Sequence, residues 1–269
     1  MTDVLISFVS LTGSPGLSTA ALALTWCWPR HAVVAECDPT GGRALAVFDP
    51  DGRHGRPGVF ELMLQARTTP IHRAMAGQLL VLPDGTGRHH LLPGATSPLE
   101  ADSLDWRRLT SLFLELGTVD VLADCGRLRS RSAPAPVVAA SDLVVVVVRN
   151  CRGSLQALVK AVDLIRAETG VVGDGLCVLV IEPDPRAHQR FPRGEIAKQF
   201  AGAEMPVIGG LSWDPASAAQ FSELHRPGRR FATSALLGDA HRVAGEIGRR
   251  ALERTSRLRR PLVEVRHGR

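Results

Sequence analysis

The sequence predicts a doubly wound α/β fold, a mostly parallel sheet with helices on both faces. Three observations predict it. Short apolar runs alternate with helical stretches along the 269-residue chain, with no internal repeat. One run, 142–148, holds five consecutive valines. A strand without polar alternation is buried on both faces, as in a parallel sheet. The first run ends in a glycine-rich turn that opens directly into a helix.

In chain order, residues 4–10 read as a buried strand, and Gly13, Ser14, Pro15 and Gly16 make the turn. A helix follows from Ser18 to Trp26, ended by Pro29. Residues 32–36 are a second strand, and the Asp38-Pro39-Thr40-Gly41-Gly42 that follows is loop chemistry. The stretches 50–58 and 83–100 read as Gly/Pro-rich loops, with a short strand at 79–82 between them. A helix is expected from Asp105 to Leu116 and a strand over 119–123 ending at Asp124. After the valine strand, residues 153–168 form a helix with Leu155, Leu158, Val159, Val162 and Ile165 apolar. Strands at 176–181 and 207–211 and a last helix from Asp239 to Arg257 complete the pattern. Residues 1–255 read as a single domain, and 256–269 as a basic, flexible tail.

At 45% hydrophobic the chain can bury a full core. It has no run of about 18 apolar residues, so no membrane span is expected. The N-terminus lacks a basic leader, and a cytoplasmic protein is expected. Five cysteines without a CxxC pair read as reduced, mostly buried thiols. His89 and His90 are adjacent, but nothing nearby in sequence completes a metal site. Trp26 and Trp28 read as core or rim aromatics, and Val243, Ile247 and Ala251 as a stripe packed on the sheet. The net charge of +5 belongs to the end: from Arg242 onward nine arginines face three glutamates. Such an end binds nucleic acid or an anionic membrane surface, or is simply solvated. Its last residues hold too few large apolar groups to anchor strongly in a bilayer. Lysine is confined to Lys160 and Lys198. The Ala/Arg/Gly/Pro bias suggests a GC-rich bacterial genome.

Ligands of doubly wound sheets bind at the carboxyl ends of the strands. Here three strand ends carry suggestive residues: Thr12 to Thr19, Glu36 to Gly41, and Asp124-Cys125-Gly126. Together with Ser141-Asp142 before the valine strand, with Leu91-Leu92-Pro93, and with Pro206-Val207 through Asp214-Pro215, they resemble the ParA/MinD family of P-loop ATPases, on its MinD-like branch. The likeness spans about residues 3–250 and rests on order and spacing. The resemblance implies a P-loop NTPase-like fold that takes ATP or ADP with Mg²⁺. It places Gly13, Ser14, Gly16, Ser18 and Thr19 around the phosphates, and Asp214 and Pro215 near the base. Ser18 and Asp124 would hold the metal, with Asp38 and Asp124 as the catalytic carboxylates. Protein partners and a homodimer are implied too. Both aspartates also suit plain turn or helix-cap roles.

The loop departs from the family in its charge. Thr12 stands where the family's signature lysine would be, and Leu17 where the general P-loop lysine would be. Leu17 is therefore expected to put an apolar side chain where phosphate should sit. Loss of a preorganised charge-stabilising donor costs about 2.7–4 kcal/mol, or roughly 10²–10³ in rate. Arg43, Arg127, Arg149 and Arg152, each just beyond a strand end, are the candidates to replace it, or are ordinary surface charge. The reading is a positioning or regulatory protein with a degenerate nucleotide site. The alternatives are an active ATPase that uses arginine, and a DNA-binding module that uses the basic tail.

Overall fold

A computed structural model describes residues 3–12, 16–171, 173–187, 190–223 and 230–258. Elements follow in chain order. The first half comprises β1 (Leu5–Ser10), α1 (Leu17–Trp26), β2 (Ala32–Glu36), α2 (Ala44–Phe48), α3 (Val59–Gln65), α4 (Ile71–Ala76), β3 (Leu80–Val81), β4 (His89–Leu92), α5 (Pro98–Asp102), α6 (Trp106–Glu115) and β5 (Asp120–Arg127). The second comprises α7 (Ala135–Ala139), β6 (Leu143–Arg149), α8 (Arg152–Thr169), β7 (Leu176–Ile181), α9 (Arg193–Ala201), β8 (Val207–Leu211), α10 (Pro215–Ala218) and α11 (Ala235–Leu258).

The eight strands form one sheet in the order β3-β4-β2-β5-β1-β6-β7-β8. Every pairing is parallel except that of β3 with β4. The doubly wound expectation holds. β1 lies at the centre, against β5 on one side and β6 on the other. The valines of β6 are buried on both faces, as their lack of alternation requires.

Two apolar layers sandwich the sheet. Residues from α1, α11 and the Ala44 turn fill one, and those from α3 through α9 the other. Val243, Ile247 and Ala251 of α11 are buried against the sheet as expected. Trp28 is 1% exposed and donates its indole N–H to Asp120 at 2.7 Å. Trp26 packs edge-on against Phe221 and Phe231. Helix α8 stops at Gly170, whose φ of 65° is the left-handed conformation that glycine adopts most easily.

Several expectations need correction. The stretch 83–100 is not all loop: β4 crosses it and α5 begins in it. β4 is short and its histidines disguise it. His89 is a core residue, its ring against Asp84 and the backbone carbonyl of Trp28. The strand read as 119–123 continues through Asp124 to Arg127, because Glu36 and Asp124 are still in register. Helix α11 begins at Ala235 and runs through Leu258, so the helix overlaps the first residues assigned to the tail. Residues 259–269 lie outside the described residues. Among those described, no helix is long and apolar enough to cross a membrane.

Candidate nucleotide site

The carboxyl ends of β1, β2 and β5 converge on the first turn of α1. Gly16 enters that helix at φ 88°, ψ 26°, and its carbonyl accepts from the Ala20 amide at 2.9 Å. An added Cβ at Gly16 would meet nothing within 4 Å, so the left-handed backbone and not space calls for glycine. Ser18 is exposed, and its side chain neighbours the carboxyl of Asp124. Thr19 is half-buried. The predicted phosphate residues Gly13 and Ser14 lie outside the described residues.

Leu17 corrects one expectation. Its side chain is 5% exposed and joins the apolar layer between α1 and the sheet. An apolar group is better placed there than facing a polar cradle. Thr12 turns its hydroxyl toward Ser154 at 3.4 Å, at the start of α8.

Asp124 is 3% exposed and accepts from the Gly126 amide at 3.1 Å. Burial raises its pKa to about 7, and the nearby charges of Asp38 and Glu36 push the same way, while neighbouring Ser18 and the bond from the Gly126 amide oppose it. Asp38 accepts from the Thr40 amide and hydroxyl, both at 2.8 Å, as a turn former does. Its carboxyl lies over Gly126, where an added Cβ would come within 2.3 Å of it. Gly126 has φ +63°, so it is glycine for two reasons. Substituting Gly126→Ala is expected to cost about 1–3 kcal/mol in strain alone and to displace Asp38. A thermal melt beside wild type measures it, and an unchanged midpoint would contradict this account of the turn.

Glu36 has a role that the sequence reading missed. One carboxylate oxygen accepts from the Arg43 and Ala44 amides at 2.9 and 3.0 Å, and the other from Gly94 at 3.1 Å. It ties the loop after β2 to the loop after β4. The family-like spacing Glu36-x-Asp38 flagged the position but not its partners.

Asp214 and Pro215 stand across a cavity of about 250 Å³ lined also by Gly16, Thr19, Arg149 and Trp213. Asp214 caps α10 by accepting from the Ser217 amide at 3.1 Å. Of the four candidate arginines, Arg149 is the one lining this cavity. Arg127 donates to the Leu11 carbonyl at 3.0 Å, and Arg43 and Arg152 flank the starts of α2 and α8. Neither Arg149 nor Trp213 had a signal beyond its place after a strand.

The structure thus gathers Gly16, Ser18, Thr19, Asp38 and Asp124 at one helix start, with Asp214 and Pro215 facing it. The Ser18 hydroxyl and Asp124 carboxyl are neighbouring hard oxygen donors, the donor chemistry magnesium takes. The amides of a helix start suit a phosphate. What this group lacks is a lysine.

The strand order and the helix opening behind β1 define a P-loop ATPase fold. More particularly, the chain has the fold of the ParA/MinD ATPases. The septum site-determining protein MinD from Pyrococcus horikoshii, solved with Mg-ADP, superposes with a TM-score of 0.69 at 18% identity, over 94% of this chain and 99% of that one. A ParA family ATPase from Chlorobium tepidum gives 0.68 at 14% identity, over 90% and 98%. MinD in the MinC:MinD cell division complex of Aquifex aeolicus gives 0.64 at 15%, over 90% and 95%. No family model and no curated protein sequence matches the chain.

Proposed function

We propose that this protein is a ParA/MinD-like positioning or regulatory factor of the bacterial cytoplasm that acts through protein partners and hydrolyses ATP weakly or not at all. The observation that carries the reading is Leu17, apolar and folded into the core where a P-loop has its lysine. Ser18 and Asp124 still meet, so an outline of a Mg-nucleotide site persists without its fixed cation. The neighbour in the MinC:MinD complex supports a function carried by protein contacts. Titration with a fluorescent ATP analogue and Mg²⁺, alongside a steady-state ATPase assay, tests it. Weak binding and negligible turnover are expected. Turnover at rates typical of lysine-bearing relatives would overturn the reading.

A second reading, an ATPase using arginine, has one observation in its favour: Arg149 lines the cavity beside Gly16 and Thr19. If it is right, Arg149→Gln abolishes a turnover that wild type shows. The DNA-binding reading draws little from the described part of the basic end. On α11, Arg249 pairs with Glu246 and Glu253, Arg250 with Glu246, and Arg254 and Arg257 with Asp174. We therefore expect deletion of residues 259–269 to leave at most weak, salt-sensitive DNA binding. Strong retention on DNA by the shortened chain, checked by filter binding at two salt concentrations, would argue the reverse.

A further inference from the structure

We propose that Cys37 and Cys125 are a redox pair whose oxidation to a disulfide fastens the loop that carries Asp38 to the end of β5 that carries Asp124. The pair follows from strand register. Glu36 of β2 lies opposite Asp124 of β5, and the next residue on each strand is a cysteine. The Cys37 amide donates to the Asp124 carbonyl at 2.7 Å, holding the two backbones together at that point. Side chains alternate along a strand, so both thiols leave the sheet on the face opposite Asp124 and Glu36. Both sit in the layer filled by α3 through α9. There the two thiols are neighbours, and Cys125 donates to the Ser7 hydroxyl at 3.6 Å. Neighbouring strands run about 4.8 Å apart. That falls within the roughly 4.4–6.8 Å between Cα atoms that a disulfide spans.

The chemistry balances with a peroxide as oxidant. One thiol sulfur attacks a peroxide oxygen, the O–O bond breaks, and a sulfenic acid and one water form. The second thiol displaces the hydroxyl from that sulfur, the S–S bond forms, and a second water leaves. Two electrons and two protons pass from the thiols to the peroxide.

The setting makes this step conditional. Cys37 and Cys125 are 0% and 1% exposed. The pair therefore reacts when the strand ends open, and the bond, once formed, prevents them opening again. Cys151, half-buried at the start of α8, is the more accessible thiol. The pair does not depend on whether the site takes a nucleotide, and its test reads neither binding nor turnover.

The test treats the whole protein with excess hydrogen peroxide, then blocks remaining thiols in denaturant and maps peptides without reduction. The expected product is a peptide linking Cys37 to Cys125, lighter by two hydrogens than its parts and separated by dithiothreitol. It should persist in Cys151→Ser and vanish in Cys37→Ser and in Cys125→Ser. Hydrogen exchange of the linked wild type should slow over 37–42 and 124–128 relative to the reduced form. Two results overturn the proposal: Cys37 and Cys125 both recovered as free thiols after Cys151 has been oxidised, or a linked product with unchanged exchange over those segments. The mapping is made on wild type, so misfolding of a serine variant leaves the test intact.

Discussion

Replacing Leu17 by lysine is expected to make the protein less stable and a better nucleotide binder at once. The stability loss follows from burial. Leu17 is 5% exposed within the layer between α1 and the sheet, and burying such a side chain contributes about 1.5–3 kcal/mol. A lysine must leave that layer and carry its charge toward solvent over the first turn of α1. The gain follows from electrostatics. Ser18 and Asp124 are neighbours and the Gly16 turn is in place, and on the proposed reading what the site wants is the charge of the P-loop lysine. Restoring a donor of that kind is worth up to about 10²–10³ in rate, by the converse of its removal. A lower melting temperature without ligand, together with tighter binding of an ATP analogue in the presence of Mg²⁺, is the predicted signature. If Leu17→Lys only destabilises, the lost charge is not what limits this site.

The second large effect is a pH dependence at Asp124. In the folded protein its pKa is raised to about 7, chiefly by burial, against about 3.9 in an unfolded chain. A raised acid favours the folded state only while it is protonated. Its contribution is whole below about pH 4 and is lost as pH rises through about 7. Each unit of difference is worth about 1.4 kcal/mol, so the carboxylate costs the ligand-free fold about 4 kcal/mol by pH 8. The variant Asp124→Asn keeps a neutral group of the same shape and escapes that cost. Chemical denaturation of both proteins at pH 5 and at pH 8 checks this. The stability advantage of the variant should grow with pH, and a constant difference would mean that Asp124 is ionised throughout.

Much of the frame could be read from the chain. The valine run of β6 announced a strand buried on both faces, and the turn after β1 announced a helix start at a strand end. Strand-end position also marked Asp38 and Asp124, and the family resemblance marked Asp214, before their neighbours were known. What stayed hidden depends on pairings between distant segments. β4 carries two histidines and only two leucines, too short a pattern to declare a strand until it lies beside β2. The short helices α2 to α5 have no full apolar period, and tertiary packing holds them. The inward turn of Leu17 was misjudged because a motif comparison assigns a position to a residue and not a direction to its side chain. The grip of Glu36 on Gly94 and the meeting of Cys37 with Cys125 depend on which strands are neighbours, which no single stretch of sequence states.

The antiparallel β3 has a bearing on assembly. The sheet's border on that side is a strand of two residues, Leu80 and Val81. A strand so short offers too little backbone for another molecule's strand to zip onto. Growth of this protein into fibres by strand addition is therefore blocked at that margin. Any association there must be made by side chains, so point substitutions can abolish it while leaving the subunit intact.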